Sequence, residues 1–186
     1  MKLIGLDLSL SATGFAVWND GAISFDVIHS LPDKSAYGDV RRLQAITKQV
    51  AEVARGSSLA TIEGPAFGRP QQAIILGGLA YMVRAWLYCH EIPYILIAPG
   101  TLKKFITGQG NAKKDMILRE VFRRWGVETD DHNIADAYGL LRIGMGLSGS
   151  LEGLTGFQEE VLANVKRRNT DVDFEAFVSH ARAEAD

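Results

Sequence analysis

The sequence has little cysteine, little proline and no long apolar run. Its 186 residues include one cysteine, Cys89, and five prolines. A lone cysteine excludes an internal disulfide framework and a metal site made of several thiolates. No apolar stretch approaches the roughly 20 residues of a membrane span, and Asp7 interrupts the N-terminal apolar stretch, which argues against a signal peptide. The sequence therefore predicts a protein of a reducing compartment, the cytoplasm, with no membrane partner.

A strong charge of one sign is also missing. The net charge is −2 and the pI is about 6.1, so the chain lacks the overall basicity of many nucleic-acid-binding domains. Basic residues nevertheless cluster at 166–168 and in the middle of the chain, at Lys103, Lys104, Lys113, Lys114, Arg119, Arg123 and Arg124. Local basic faces of this kind can bind phosphate groups, and they are equally typical of solvated helix faces.

Apolar periodicity predicts the order of the secondary structure. Alternating apolar residues predict strands over 2–8, 12–19 and 21–29, which tight turns join into an antiparallel meander. Further strands are predicted over 59–62 and 94–97, and helices over 37–55 and 71–90 and from about residues 99, 112 and 131. This order predicts an α/β fold in which a mixed five-stranded sheet, with an antiparallel meander and parallel strands, is flanked by helices on both faces.

A glycine- and serine-rich stretch at 146–153 marks the end of this predicted core. We therefore expect a domain over 1–147 and a helical extension over 148–186. Within the extension, amphipathic patterns predict helices over 155–168 and 171–185. The extension is expected to pack on the core, with a contact to a partner or to DNA as the alternative.

Three acidic residues lie in or beside apolar segments instead of on polar faces. Asp7 lies within the first predicted strand, Glu63 ends the fourth, and Asp136 lies in the apolar, small-residue stretch Ile134–Leu141. If the first and fourth strands are neighbours, these carboxylates meet in a partly dry place, where they must protonate, pair with a base or bind a cation. None of the three segments contains Lys or Arg, and oxygen ligands select Mg²⁺ or Mn²⁺. Taken singly, each acid could instead cap a turn or bond to nearby backbone.

A fourth metal ligand is expected just before Asp136. Asn133 and His132 precede it by three and four positions and share its helix face. Asn133 is slightly favoured by its spacing, and His132 or Asp131 is the alternative. Asp130 and Asp131 follow Thr129 and have the residue type of helix N-caps, which is the structural role expected for them.

Four segments in series resemble the RuvC-type Holliday junction resolvases of the RNase H-like superfamily. The resemblance covers about residues 3–147 in the family's order. Length, compactness and the C-terminal extension look more like the phage-encoded branch, which would place the protein in a host cytoplasm. The segments are GLDLSLSATGFAV with its Asp, TIEGPAF with its strand-end Glu, the basic APGTLKKFITGQGNAKKDMI, and NIADAYGLL with its closing Asp.

The resemblance implies a metal-dependent endodeoxyribonuclease of DNA recombination and repair. It implies symmetric cleavage of four-way or other branched DNA that leaves a 5′-phosphate and a 3′-hydroxyl. Asp7, Glu63 and Asp136 would hold two Mg²⁺ ions, for which Mn²⁺ can substitute, and Asn133 stands where the family has an acid or a His. The implied catalytic residues are therefore Asp7, Glu63, Asp136, Asn133 and Lys114.

The resemblance also implies how DNA and a second subunit would be bound. Phe67 resembles the aromatic residue that wedges at the exchange point of the junction, and Lys103 and Lys114 resemble lysines that contact phosphate. Arg69, Lys104 and Lys113 complete the expected DNA-binding set. The family acts as a homodimer, and the helix from about Gln71 would supply the interface.

Three other functions share parts of this pattern. An RNase H-like nuclease acting on RNA or on other branched DNA would use the same acids. A non-catalytic DNA-binding descendant would retain the fold; the three retained acids argue against it, and Asn133 in place of an acid leaves it open. A sugar-kinase or actin-type ATPase also begins with a strand, an Asp and a glycine-containing hairpin, but it needs two such halves and this chain supplies one.

Overall fold

The computed structural model describes residues 1–64 and 70–174, and the secondary structure of this part follows the predicted order. Within this part, each predicted start or end of a strand or helix lies within two residues of the observed one. The strands are β1 (Lys2–Asp7), β2 (Ala12–Asn19), β3 (Ala22–His29), β4 (Leu59–Glu63) and β5 (Tyr94–Ile97). The helices are α1 (Gly38–Ala54), α2 (Pro70–Cys89), α3 (Pro99–Thr107), α4 (Lys114–Trp125), α5 (His132–Leu147) and α6 (Gly156–Arg168).

The five strands form one mixed sheet in the order β3-β2-β1-β4-β5. β1, β2 and β3 are antiparallel neighbours, whereas β4 runs parallel to both β1 and β5. The predicted α/β fold class is therefore confirmed, including the parallel pairing of the first and fourth strands. Because β1, β4 and β5 run in one direction, their carboxyl ends meet at one edge of the sheet.

Side chains alternate between the two faces of the sheet, and each face has its own core. On one face, Ile4 and Leu6 of β1 pack with residues of α1 and α2 such as Ile46 and Leu79. On the other face, Leu3 of β1 packs with residues of α3 to α6. Odd-numbered residues of β1 thus face α5, and Asp7 is among them.

Helix α5 lies unusually close to the sheet because small residues face it. A Cβ added to Gly5 would lie 2.3 Å from the backbone oxygen of Ala137, and one added to Gly14 would lie 2.1 Å from that of Asn133. Thr61 of β4 donates a 2.7 Å hydrogen bond from Oγ1 to the backbone oxygen of Leu140. The packing of α5 on β1, β2 and β4 thus leaves no space for larger side chains at Gly5 and Gly14.

The part of the extension that the structure describes packs on the same core. Val161, Leu162 and Val165 of α6 are buried with the apolar residues of α3 and α5. Thr155 and Gln158 form a capping box at the start of α6. The predicted helix over 171–185 lies outside the described residues from position 175 onward. In the described part of the chain, no helix combines the length and apolarity needed to cross a bilayer.

Candidate active site

Asp7 and Glu63 lie side by side at the carboxyl ends of two parallel strands. β1 and β4 pair with Leu6 opposite Ile62, so Asp7 and Glu63 are the next pair along the register. Register partners in parallel strands place their side chains on the same face of the sheet. Both carboxyl groups therefore face α5, and each is only partly accessible to solvent.

The two carboxyl groups share a hydrogen bond, which requires a proton. Burial, the negative charges of Glu63 and Asp136 and the hydrogen bond to Glu63 together raise the pKa of Asp7 to about 8. Burial also raises the pKa of Glu63, while the hydrogen bond from Asp7 lowers it. The pair therefore retains one proton near neutral pH, and this proton joins the two carboxyl groups.

Asp136 belongs to the same electrostatic cluster. It lies in the second turn of α5, and burial followed by the charge of Glu63 raises its pKa to about 7. The close packing of α5 on Gly5 and Gly14 holds this turn over the carboxyl end of β1. The structure thus brings together the three acids that the sequence singles out, and each of them has a raised pKa.

Two of the predicted DNA-binding lysines lie close enough to act on these acids. The ammonium group of Lys114, at the start of α4, lowers the pKa values of Asp7 and Asp136 against the effect of burial. Lys103 of α3 lowers those of Glu63 and Asp136 in the same way. Positive charge therefore borders the acid cluster, as a site for phosphate requires.

The other predicted basic residues are placed differently. Lys104 directs its ammonium group away to α6, where Nζ lies 2.8 Å from Oε1 of Glu160. Lys113 is exposed in an extended conformation just before α4, so this helix begins two residues later than the sequence predicts. Phe67 and Arg69 lie outside the described residues.

The start of α5 contains the three candidates for a fourth ligand. Asp131 is the N-cap, as its residue type predicts, because Oδ1 accepts hydrogen bonds from the backbone N of Asn133 at 2.7 Å and from its Nδ2 at 2.8 Å. The backbone of Asn133 packs on Gly14, and Gly14 lies opposite Asp7 in the pairing of β1 with β2. His132 has a buried Nδ1 with no hydrogen-bond partner in the described part of the protein.

Arg42 is a residue near the site that sequence patterns did not single out. Its guanidinium donates from Nη2 to the backbone oxygens of Leu10 and Ser30, and from Nε to Oγ of Ser30 at 3.1 Å. Through these bonds α1 supports the hairpin that follows Asp7. No local motif indicates this role, because Arg42 and Leu10 meet only when α1 packs on the sheet.

The donor chemistry of the acid cluster fits a hard divalent cation. Three carboxylates and a nearby amide oxygen are the ligand types that Mg²⁺ and Mn²⁺ prefer. Within residues 1–64 and 70–174, however, no three His, Cys, Asp or Glu side chains form a ready-made metal cluster. The acids interact through charge and a shared proton, and a cation would have to displace that proton.

Comparisons with known proteins identify the fold. No protein-family model matches the sequence, and no curated protein matches it. Among solved structures, RuvC of Thermus thermophilus matches with a TM-score of 0.61 and 19% identity, over 76% of this chain and 91% of that one. The T. thermophilus RuvC in complex with Holliday junction substrate matches with a TM-score of 0.64 and 21% identity, over 76% of this chain and 90% of that one. The chain therefore has a RuvC-like fold.

Proposed function

We propose that this protein is a divalent-metal-dependent endonuclease that cleaves four-way or other branched DNA. The observation that carries the proposal is the convergence of Asp7, Glu63 and Asp136 at one edge of a RuvC-like sheet, with Lys103 and Lys114 beside them. The structural neighbour bound to Holliday junction substrate favours branched DNA over other nucleic acids. We also group the protein with the phage-encoded branch, which its compact core resembles.

Each charged residue has a defined task in this proposal. Bound Mg²⁺ or Mn²⁺, with two ions per site, would activate a water molecule and neutralise charge on the scissile phosphate. Asp7, Glu63 and Asp136 would hold these ions through their carboxylate oxygens, and Asp7, which feels the charges of both other acids, would be the ligand shared by the two ions. Lys103 and Lys114 favour the ionised, ligating form of the acids and attract the DNA phosphates.

We assign the fourth ligand to the side-chain oxygen of Asn133. The hydrogen bond from Nδ2 to Asp131 orients the amide and leaves Oδ1 free to bind a cation. Replacing this amide with a carboxylate adds a negative ligand, so Asn133→Asp is expected to bind Mn²⁺ more tightly in calorimetry. His132→Gln is the matched variant, because it changes the adjacent candidate, and its Mn²⁺ affinity should equal that of the wild type. If Asn133→Asp leaves the Mn²⁺ affinity unchanged and His132→Gln lowers it, the fourth ligand is His132 instead.

We also propose that the protein acts as a homodimer through α2. Three large side chains on this helix are spaced by seven residues and project into solvent, with Ile74 75%, Tyr81 69% and Tyr88 78% exposed. Gly77 lies on the open side, with nothing within 4 Å of a built Cβ, so a second helix can approach closely. A heptad-spaced stripe of aromatic and aliphatic residues is typical of a helix that pairs with another helix.

The decisive experiment is a cleavage assay on a set of synthetic substrates. The purified chain is incubated with a four-way junction, a replication fork, a flap, a linear duplex and an RNA–DNA hybrid, each in Mg²⁺, Mn²⁺, Ca²⁺ and EDTA. We expect paired nicks in opposite strands of the junction in Mg²⁺ and Mn²⁺, with 5′-phosphate ends that a DNA ligase can seal. Linear duplex should remain uncut.

Other outcomes identify the competing functions. Preferential cleavage of the RNA strand in the hybrid would reveal a nuclease of the RNase H type. Tight junction binding without cleavage in either metal would reveal a non-catalytic DNA-binding protein. Equal cleavage in EDTA would contradict the role of the acids as metal ligands.

A further inference from the structure

A polar cavity lies among the end of α4, the middle of α5 and the start of α6. Its volume is about 280 Å³, close to the lower limit of about 300 Å³ for small-molecule sites. Arg142 lies six positions beyond Asp136 on α5, which places it about 9 Å further along the helix axis. Arg123, Arg124 and Trp125 of α4, Arg142 of α5 and Glu152 of the loop before α6 line the cavity.

The guanidinium of Arg142 has no carboxylate partner in the described part of the protein. It packs over the ring of Trp125, with Cζ 5.3 Å from the ring centroid, and hydrogen-bonds to the Tyr138 hydroxyl. Its Nη1 lies 4.0 Å from Sδ of Met145, and its buried Nε has no acceptor. A partly buried cation surrounded by neutral groups is costly unless an anion compensates it.

The other two arginines of the cavity share a single carboxylate. Glu120, which is 7% exposed, lies 2.6 Å from Nη2 of Arg123 and 3.2 Å from Nε of Arg124. Glu152 is the acid that lines the cavity; it is exposed, and no ion pair to it is found among the described residues. Three arginines line the cavity, and the carboxylates available to them are Glu152 on the wall and Glu120 behind Arg123 and Arg124, so the cavity retains an excess positive charge.

We propose that this cavity binds a phosphate group, through Arg142 together with Arg123 and Arg124. Converging guanidinium groups match the charge and the oxygen geometry of phosphate, which they can bind through paired hydrogen bonds. The small volume favours inorganic phosphate or the phosphate of a mononucleotide, and a backbone phosphate of DNA is the other source of the same group. The loop over 151–154, which precedes α6, would close one side of the site.

The test is a binding experiment on the full chain in chloride buffer at constant ionic strength. Inorganic phosphate and AMP are titrated by calorimetry and in thermal unfolding, with acetate as the control anion. We expect saturable binding and a rise in melting temperature for phosphate or AMP but not for acetate. Arg142→Gln should weaken binding at least about tenfold, because a charge-assisted contact is lost.

Two further variants keep the test decisive even if Arg142→Gln folds poorly. Glu152→Gln removes a negative charge from the cavity wall without touching the core, and it should tighten phosphate binding about threefold. Arg168→Gln removes one positive charge from the exposed end of α6, outside the cavity, and should leave binding unchanged. Equal effects of Arg168→Gln and Arg142→Gln, or no effect of Glu152→Gln, would overturn the proposal.

A third arm distinguishes the two sources of phosphate. If the ligand is a DNA backbone phosphate, Arg142→Gln weakens the binding of a duplex at least about tenfold relative to Arg168→Gln. If it is a free phosphate, duplex affinity is the same in both variants and phosphate or AMP binds the wild type saturably. The absence of both effects would show that the cavity binds no phosphate. None of these measurements depends on nuclease activity.

Discussion

Asp7 and Glu63 share one proton between two carboxyl groups at the ends of adjacent parallel strands. Burial, the charges of Glu63 and Asp136 and the hydrogen bond to Glu63 raise the pKa of Asp7 to about 8, so the pair keeps one proton near neutral pH unless a cation replaces it. A divalent cation is the natural replacement in a site of oxygen ligands. Several predictions about catalysis and stability rest on this exchange.

The first prediction concerns Asp7→Asn. Removing the Asp7 carboxylate should lower junction cleavage in Mg²⁺ by at least about 100-fold, because the cations that would neutralise the reacting phosphate lose a ligand. The same variant should melt at a higher temperature than the wild type at pH 8 without metal, because its amide donates to Glu63 without needing a proton. Gel-based cleavage and calorimetric melting measure the two effects.

Asp26→Asn provides the matched control for that variant. Asp26 is an exposed acid on β3, and its side chain bonds only to the neighbouring backbone N of Val27 among the described contacts. Its cleavage rate should equal that of the wild type. Full activity in Asp7→Asn would remove Asp7 from the reaction.

The second prediction concerns the pH dependence of stability without metal. The folded-state pKa values of Asp7 and Asp136 are raised to about 8 and about 7, above the usual value of 3.8 for an aspartate. Their contribution to stability is therefore fully present below about pH 4 and is lost as the pH rises through 7 and 8. Urea unfolding in EDTA at pH 5, 6, 7 and 8 should show a falling free energy of unfolding.

Metal should reverse this loss of stability. Mg²⁺ at millimolar concentration stabilises the folded state at pH 8 because it binds the ionised acids of the native protein. In Asp7→Asn without metal, the free energy of unfolding should fall less steeply between pH 5 and 8. A free energy of unfolding that is constant or rises over this range in EDTA would contradict the proton-sharing arrangement.

The third prediction compares two adjacent lysines of α3. The charge of Lys103 lowers the pKa values of Glu63 and Asp136, whereas Nζ of Lys104 is paired with Glu160. Lys103→Gln should reduce the dependence of log Kd on log salt concentration by about 1, as expected when one phosphate contact is lost. Lys104→Gln should leave that slope unchanged. Fluorescence anisotropy with a labelled junction at several salt concentrations measures both, and equal slopes in the two variants would exclude Lys103 from DNA binding.

The fourth prediction concerns the close approach of α5 to β2. A methyl group at Gly14 would lie 2.1 Å from the backbone oxygen of Asn133, so Gly14→Ala must push the start of α5 away from the sheet. We expect a loss of about 1–3 kcal/mol in the free energy of unfolding and weaker Mn²⁺ binding. Gly156→Ala has open space around its Cβ and should change stability by less than about 0.5 kcal/mol. Chemical denaturation measures both changes, and equal stability of the two variants would contradict the tight packing at Gly14.

The fifth prediction tests the proposed homodimer. If the chain dimerises through α2, Tyr81→Glu places a charge in the middle of the exposed stripe and should give a monomer in light scattering coupled to gel filtration. Tyr37→Glu changes a tyrosine that is 78% exposed outside α2 and should leave the dimer intact. A wild-type monomer at micromolar concentration would contradict the homodimer proposed through α2.

Local patterns in the sequence predict most of the fold. The alternation in β1 and β2, the helical spacing in α1 and the capping residues before α5 each depend on neighbours within a few positions, and all are confirmed. The chemistry of the site is also partly visible, because acids at the ends of apolar segments are costly without compensation. For this reason Asp7, Glu63 and Asp136 could be singled out before their positions were known.

Packing between distant segments decides what the local pattern leaves open. Helix α2 illustrates this. Gly78 faces Leu43 of α1 and Leu79 is buried. Ile74 and Gly77 of the same helix lie on its open side. On α3, likewise, Lys103 lies near the acids, whereas the adjacent Lys104 pairs with Glu160 of α6. The direction of each side chain depends on how its helix is rotated against the sheet, which residues far apart in the chain determine together.

The sequence by itself determined the order of strands and helices, the α/β fold class and the three acids, because these follow from local periodicity and from the cost of burying charge. Only the tertiary structure decided that Asp7 shares a proton with Glu63, that Lys103 and Lys114 border the acids, and that Arg142 lacks a carboxylate partner. These relationships join residues from different elements. They depend on strand register and on the close approach of α5, and both exist only once the core has packed.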